Sequence, residues 1–161
     1  MSKKRSLGVI GLGHVGAHVA YALAVQGIAD ELILVDRNAQ KLASEVQDLR
    51  DAAAYLPHRV TVRAGDFQNL GGCDVIVNCV GRIELLRESH DRLTEMDYTI
   101  QAVRGYVQQL RKSGFDGVLI NITNPCDIVT RELALGLGLP RGRVFGTGTG
   151  LDTSRLLSAL A

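Results

Sequence analysis

No charge of one sign predominates in this chain. Eighteen Lys and Arg stand against seventeen Asp and Glu, and both signs are interspersed, for a net charge of +1. That balance excludes a nucleic-acid stripe or a polybasic membrane patch as the organising feature. The Lys3-Lys4-Arg5 cluster is short and terminal, and reads as a solubilising end. Long apolar runs are also missing: none reaches the roughly eighteen residues of a membrane span, and the start lacks the apolar core of a signal peptide. A cytoplasmic location is the expectation that follows. Cysteine is scarce, and Cys73, Cys79 and Cys126 form no C-x-x-C pair and have no histidine at zinc-finger spacing, so no metal site is expected. Cys79, inside DVIVNCV, reads as a small buried hydrophobe, and an odd cysteine count without an export signal fits a reducing compartment.

What is present begins at Ser6. An apolar strand, SLGVI, runs into a glycine turn, GLGHVG, from Gly11 to Gly16. A helical stretch from His14 to about Ala24, a second apolar strand, ELILV, and an acid, Asp36, complete the unit. Each part suits a dinucleotide. Gly11 allows the tight turn, Gly13 lets the backbone approach a pyrophosphate, and Gly16 lets the helix pack closely on the strand. The phosphates would meet the orphan N–H groups and positive dipole end of that helix. Asp36 lies twenty residues beyond Gly16, where a carboxylate accepts from the adenosine ribose hydroxyls. A carboxylate there repels the 2′-phosphate of NADP, so NAD is the expected cofactor. Arg37 follows directly and reads as a solvated side chain.

The remaining pattern continues the alternation. Leu42, Val46, Leu49 and Ala53 mark an amphipathic helix from about Ala39 to Ala54, ended before Pro57. A short strand at Val60 to Arg63, a polar turn, and a chain break at Gly71 and Gly72 precede the strand Asp74 to Val80. That strand is almost unbroken in its apolarity, as in a parallel sheet buried on both faces. Gly81 to Asp91, GRIELLRESHD, reads as neither helix nor strand. A long helix from Arg92 to Ser113 follows, with Leu93, Met96, Ile100, Val103, Val107 and Leu110 as its stripe and Gly114 at its C-cap. Strand Gly117 to Ile122, the turn Thr123 to Pro125, a helix from Cys126 to about Leu135, a short strand Arg143 to Gly146 and a helix starting near Asp152 complete the chain. The expected fold class is α/β, a Rossmann-type doubly wound parallel sheet in three α/β/α layers. At 161 residues the length suits one domain, able to bury about 70% of its unfolded surface.

Through TNPCDIV (Thr123 to Val129) and GTGTGLDTSR (Gly146 to Arg155), the sequence resembles the L-2-hydroxy acid dehydrogenases of the lactate and malate dehydrogenase superfamily. IGLGHVGAHVA, SGFDGVLINITNPCDIVT and VFGTGTGLDTSRL are most similar to the L-2-hydroxyisocaproate branch, and the likeness covers essentially the whole chain. The resemblance implies reduction of a 2-oxo acid to an L-2-hydroxy acid by a nicotinamide hydride. It implies cofactor contacts at Gly11, Gly13, His14, Val15, Gly16, Asp36, Gly81, Ile122 and Thr123, and contact to both cofactor and substrate at Asn124. Arg155 matches the arginine that grips the substrate carboxylate with a planar two-pronged guanidinium. Asp152 matches the aspartate that orients the catalytic histidine. The catalytic arginine of the mobile loop corresponds to Arg92 when counted back from Asn124, and to His90 when counted on from Gly81. Leu85 and Leu86 point toward an apolar substrate side chain, whereas Arg82 or Arg87 would suit a second carboxylate. The resemblance also implies a homo-oligomer, dimer or tetramer.

One part of the family pattern has no counterpart. The catalytic histidine of these enzymes sits in a Gly-Glu-His-Gly segment, and His14, His18, His58 and His90 are not placed to pair with Asp152. The last stretch, LLSALA, carries no helix stop signal. The expectation is therefore an NAD-binding domain over residues 1–161, with the last helix truncated and a C-terminal catalytic domain absent. The alternatives are a stand-alone NAD-binding module without catalysis, or a malate dehydrogenase.

Overall fold

The computed structural model describes residues 4–82 and 92–161, with backbone alone at residues 92–94. Leu85, Leu86, Arg87 and His90 lie outside the described residues. In chain order the elements are β1 (Ser6–Ile10), α1 (His14–Val25), β2 (Glu31–Val35), α2 (Ala39–Ala53), β3 (Thr61–Ala64) and β4 (Val75–Asn78). After these come α3 (Arg92–Lys112), β5 (Val118–Asn121), α4 (Cys126–Leu137), β6 (Val144–Gly146) and α5 (Gly150–Leu160). The paired glycines Gly71 and Gly72 do not simply break the chain: they close a 3₁₀ turn, Asn69–Gly72, that carries Leu70 into the core.

Among the described residues the strands form one six-stranded sheet, ordered β3-β2-β1-β4-β5-β6, with every neighbouring pair parallel. This is a Rossmann fold. The near-continuous apolarity of the strands follows from burial on both faces, because alternate residues face opposite layers. Leu7, Val9, Leu32, Leu34 and Val77 pack with Ala20 and Ala24 of α1 and Val46 and Leu49 of α2. Ile10, Ile33, Val35, Ile76 and Leu119 pack with Val103, Val107 and Leu110 of α3 and Val129 and Leu133 of α4.

α3 departs from its predicted stripe in its first half. The Leu93 side chain lies outside those described; among the described side chains Glu95, Thr99, Val103, Tyr106, Val107 and Leu110 are buried, while Met96 and Ile100 are only partly covered. The helix turns a polar edge inward where its neighbour is a cleft and an apolar edge inward where its neighbour is the core. Gly114, with φ +79°, takes the left-handed conformation expected just past this helix.

Candidate functional site

The order of the sheet reverses between β1 and β4. The chain leaving β1 goes toward β2, and the chain leaving β4 goes toward β5, so a crevice opens at their C-terminal ends. A cleft of about 460 Å³ lies there, lined by Gly13, His14, Val15, Cys79, Gly81, Arg82, Glu95, Ile122, Thr123 and Asn124. A wider, shallower depression of about 610 Å³, lined by Arg50, His58, Arg59 and Thr61 among others, lies where β3 begins. That is the opposite edge of the sheet from the strand ends where α/β folds hold ligands.

The glycine turn is built as its spacing predicts. Gly11 has φ +86°, and its N–H donates to the Val35 carbonyl at 2.8 Å, which folds the turn against the end of β2. A Cβ on Gly16 would fall onto the Gly11 carbonyl oxygen, so only glycine lets α1 start this close to the turn. A Cβ on Gly13 would meet nothing within 4 Å, which leaves open space on the cleft side. No side chain caps α1, and its first backbone bond runs from Ala17 N–H to the Gly13 carbonyl at 3.0 Å. The amides of His14, Val15 and Gly16 therefore precede the helical ladder, as at an anion-binding helix start.

Asp36 sits just past β2 and is held by backbone on both oxygens. Its Oδ2 accepts from Leu12 N–H at 2.7 Å, and its Oδ1 accepts from Asn38 N–H at 2.8 Å. The carboxylate is partly exposed and so retains lone pairs for hydroxyl donors. Arg37 is not simply solvated: its guanidinium lies 5.7 Å from the centroid of Tyr98, and that of Arg82 lies 5.9 Å from the same ring. The open space at Gly13, the uncapped amides and the fixed Asp36 carboxylate fit an adenosine diphosphate group.

Seven of the predicted cofactor residues, Gly13, His14, Val15, Gly81, Ile122, Thr123 and Asn124, line the cleft together. Gly11 and Gly16 shape the turn from behind, and Asp36 fixes it from β2. Three lining residues were not read as cofactor contacts: Cys79, Arg82 and Glu95. Cys79 is buried as expected, and burial pushes its thiol up to about 12, but it also forms part of the cleft floor. Glu95 is buried at 7% exposure, and its position one turn from the start of α3 was the available signal.

Asp152 and Arg155 lie on the first turns of α5 and pair with each other, Nη1 to Oδ1, at 3.3 Å. Both are well exposed, at 73% and 69% of their side chains. Arg92 is the first residue of α3. The described histidines are elsewhere: the rings of His14 and His18 meet at a tilt of 55° at the start of α1, with centroids 4.4 Å apart, and His58 Nε2 lies 2.6 Å from the Ala24 carbonyl oxygen. Among the described residues no cluster of His, Cys, Asp and Glu is arranged for a metal ion, and no helix is long and apolar enough to cross a membrane.

Fold and site together define a dinucleotide-binding domain. Comparison with known proteins then assigns it further. Residues 6–146 match the family described as lactate/malate dehydrogenase, NAD binding domain, and the chain belongs to that family. NAD is thus its cofactor. It is 42% identical over 164 residues to the L-lactate dehydrogenase of Fusobacterium nucleatum, covering 100% of this chain and 50% of that protein. A lactate dehydrogenase from a Medee basin deep-sea metagenome library superposes with TM-score 0.89 at 30% identity, over 99% of this chain and 50% of that one. The minor L-lactate dehydrogenase of Enterococcus mundtii gives 0.86 at 34% identity, over 92% and 47%. The chain spans about half the length of the relatives it matches.

Proposed function

We propose that this chain is the cofactor-holding half of an NAD-dependent L-2-hydroxy acid dehydrogenase of the L-lactate or L-2-hydroxyisocaproate type. One observation carries this reading. The switch-point cleft ends at Asn124, and the helix bearing Asp152 and Arg155 leaves the same edge of the sheet. A domain that only stored NAD would have no use for that second set.

The bound nicotinamide supplies the hydride that reduces a 2-oxo acid. The chain's own residues bind and orient. The amides of Gly13 to Gly16 and the Asp36 carboxylate fix the adenosine diphosphate end. Gly81, Ile122 and Thr123 border the nicotinamide end, and Asn124 meets both its ribose and the substrate. Arg155 grips the substrate carboxylate in a bidentate pair, and Asp152 holds the imidazole of the catalytic histidine. Arg92 polarises the 2-oxo group as charge develops on its oxygen. The exposed Asp152–Arg155 pair is worth about 0–1 kcal/mol, so either member is readily drawn to a new partner. Branched or medium-length 2-oxo acids are the preferred substrates, with pyruvate a close neighbour. Assembly as a homo-oligomer, dimer or tetramer, in the cytoplasm, belongs to the same reading.

A second reading, an NAD-binding module without catalysis, has one observation in its favour: the contacts of the described histidines go elsewhere, to the Ala24 carbonyl for His58 and within α1 for His14 and His18. Assaying the 161-residue chain with NADH and a panel of pyruvate, 2-oxoisocaproate and oxaloacetate tests both. The expected result is saturable NADH binding with negligible turnover, because a missing general acid costs about 10²–10⁴-fold. Rapid turnover would refute the assignment of the general acid to a histidine outside this chain. In a complete enzyme, Arg92→Gln should cut turnover by orders of magnitude and spare NADH affinity; an effect confined to affinity would remove Arg92 from its role.

A further inference from the structure

Directly beneath the cleft, two asparagines face each other inside the sheet. Asn78 ends β4 and Asn121 ends β5, the parallel register pairs them, and both are fully buried at 0% exposure. Asn78 Nδ2 donates to Asn121 Oδ1 at 2.8 Å, and the hydroxyl of the buried Tyr106 on α3 donates to Asn78 Oδ1 at 2.8 Å. Two apolar side chains would hold the strand ends together without the cost of burying amides. The polar pair must therefore be judged by what else it touches.

Asn121 wraps over the turn that follows its own strand. Its Oδ1 accepts from Thr123 N–H at 3.2 Å, and its Nδ2 lies 3.1 Å from both the Thr123 carbonyl and the Cys126 carbonyl. One side chain thus grips the backbone on either side of Asn124. On the other strand, Asn78 Oδ1 accepts weakly from Val80 N–H at 3.4 Å, and the Asn78 carbonyl receives the Thr123 hydroxyl at 3.4 Å. Both backbone stretches that border the cleft, at Val80 to Gly81 and at Ile122 to Asn124, hang from this pair. Tyr106 ties it to the helix that begins at Arg92.

We propose that Asn78, Asn121 and Tyr106 act as positioning residues that set Asn124 and the Gly81 backbone for the nicotinamide half of the cofactor. A fully satisfied buried network is rigid, and this one is placed where nicotinamide geometry is decided, away from the glycine turn that holds the phosphates. The inference rests on the proposed cofactor orientation.

The test compares NADH with ADP-ribose, which lacks the nicotinamide, by calorimetric titration of the 161-residue chain and two variants. Asn121→Leu removes the grip on the turn. Tyr106→Phe removes one hydroxyl while keeping the ring stacked on Phe67, 5.0 Å away, and serves as the decisive variant if Asn121→Leu does not fold. NADH affinity should fall about tenfold in Asn121→Leu and about threefold in Tyr106→Phe, with ADP-ribose affinity held within about twofold. Parallel losses for both ligands, or no change for either, would overturn the proposal. So would a wild-type chain that binds NADH no tighter than ADP-ribose. A wild-type chain that binds neither ligand would refute the proposed function itself, and the positioning role with it.

Discussion

Gly13 and Gly16 do different work within one motif, and their substitutions separate binding from stability. A methyl at Gly16 meets the Gly11 carbonyl, so Gly16→Ala should cost about 1–3 kcal/mol and lower Tm by several degrees. A methyl at Gly13 meets no protein atom, so Gly13→Ala should leave stability within about 0.5 kcal/mol. It should nevertheless weaken NADH binding, because the methyl occupies the approach of the pyrophosphate. Thermal melts alongside NADH titrations check both; a Gly13→Ala chain that binds normally would contradict the phosphate site. Asp36→Ser should lower the ratio of NADH to NADPH affinity about tenfold. An unchanged ratio, read from paired titrations, would remove Asp36 from the ribose. Gly11 and Gly16 were legible in the sequence because each performs a backbone task that only glycine performs well. Glu95 was not, since a charged residue on a helix is ordinarily solvated, and only the packing shows it in the cleft; Arg82, legible as a candidate for a second substrate carboxylate, lines the same cleft.

At the scale of elements, the strands were readable within a residue or two, most directly the central strands β1, β2 and β4, whose two faces are covered and whose apolar runs are continuous. The predicted stripe of α3 meets the core at Val103, Val107 and Leu110, whereas Glu95 and Thr99 are buried where Met96 and Ile100 are only partly covered. Hydrophobic periodicity locates an apolar interior, and Glu95 there borders the cleft instead. Helices α4 and α5 make a contrast that a melt can check. Leu133 on α4 is fully buried, and Leu133→Ala should cost about 2–5 kcal/mol. Leu156 and Leu157 on α5 are 59% and 63% exposed, and exchanging both for Glu should change the stability of this chain by less than about 0.5 kcal/mol. At the opposite edge of the sheet, Arg5 binds the Asp30 carboxylate through its side chain at 2.8 Å and through its backbone N–H at 2.7 Å. This holds Asp30 at about 2, below its ordinary 3.8. A carboxyl depressed in the folded state stabilises above its unfolded value, and that contribution fades as pH falls from about 4 toward about 2. Acid unfolding followed by circular dichroism should therefore be flatter across that window in Asp30→Asn than in the wild type.

At the scale of the whole molecule, the chain is an NAD-binding domain of the lactate/malate dehydrogenase family that spans about half the length of its relatives. The cofactor site is built within it, whereas Asp152 and Arg155 stand exposed and paired with each other. Binding and turnover should accordingly part company in this chain. The most direct test of the central claim, that the crevice between β1 and β4 holds NAD, is a titration of the isotope-labelled chain with NAD followed through its backbone amide resonances. The account predicts saturable shifts concentrated at Gly11 to Gly16, at Asp36 to Asn38, and at Gly81 and Ile122 to Asn124. Shifts concentrated instead around Arg50, His58 and Arg59, or no shifts at saturating cofactor, would contradict it.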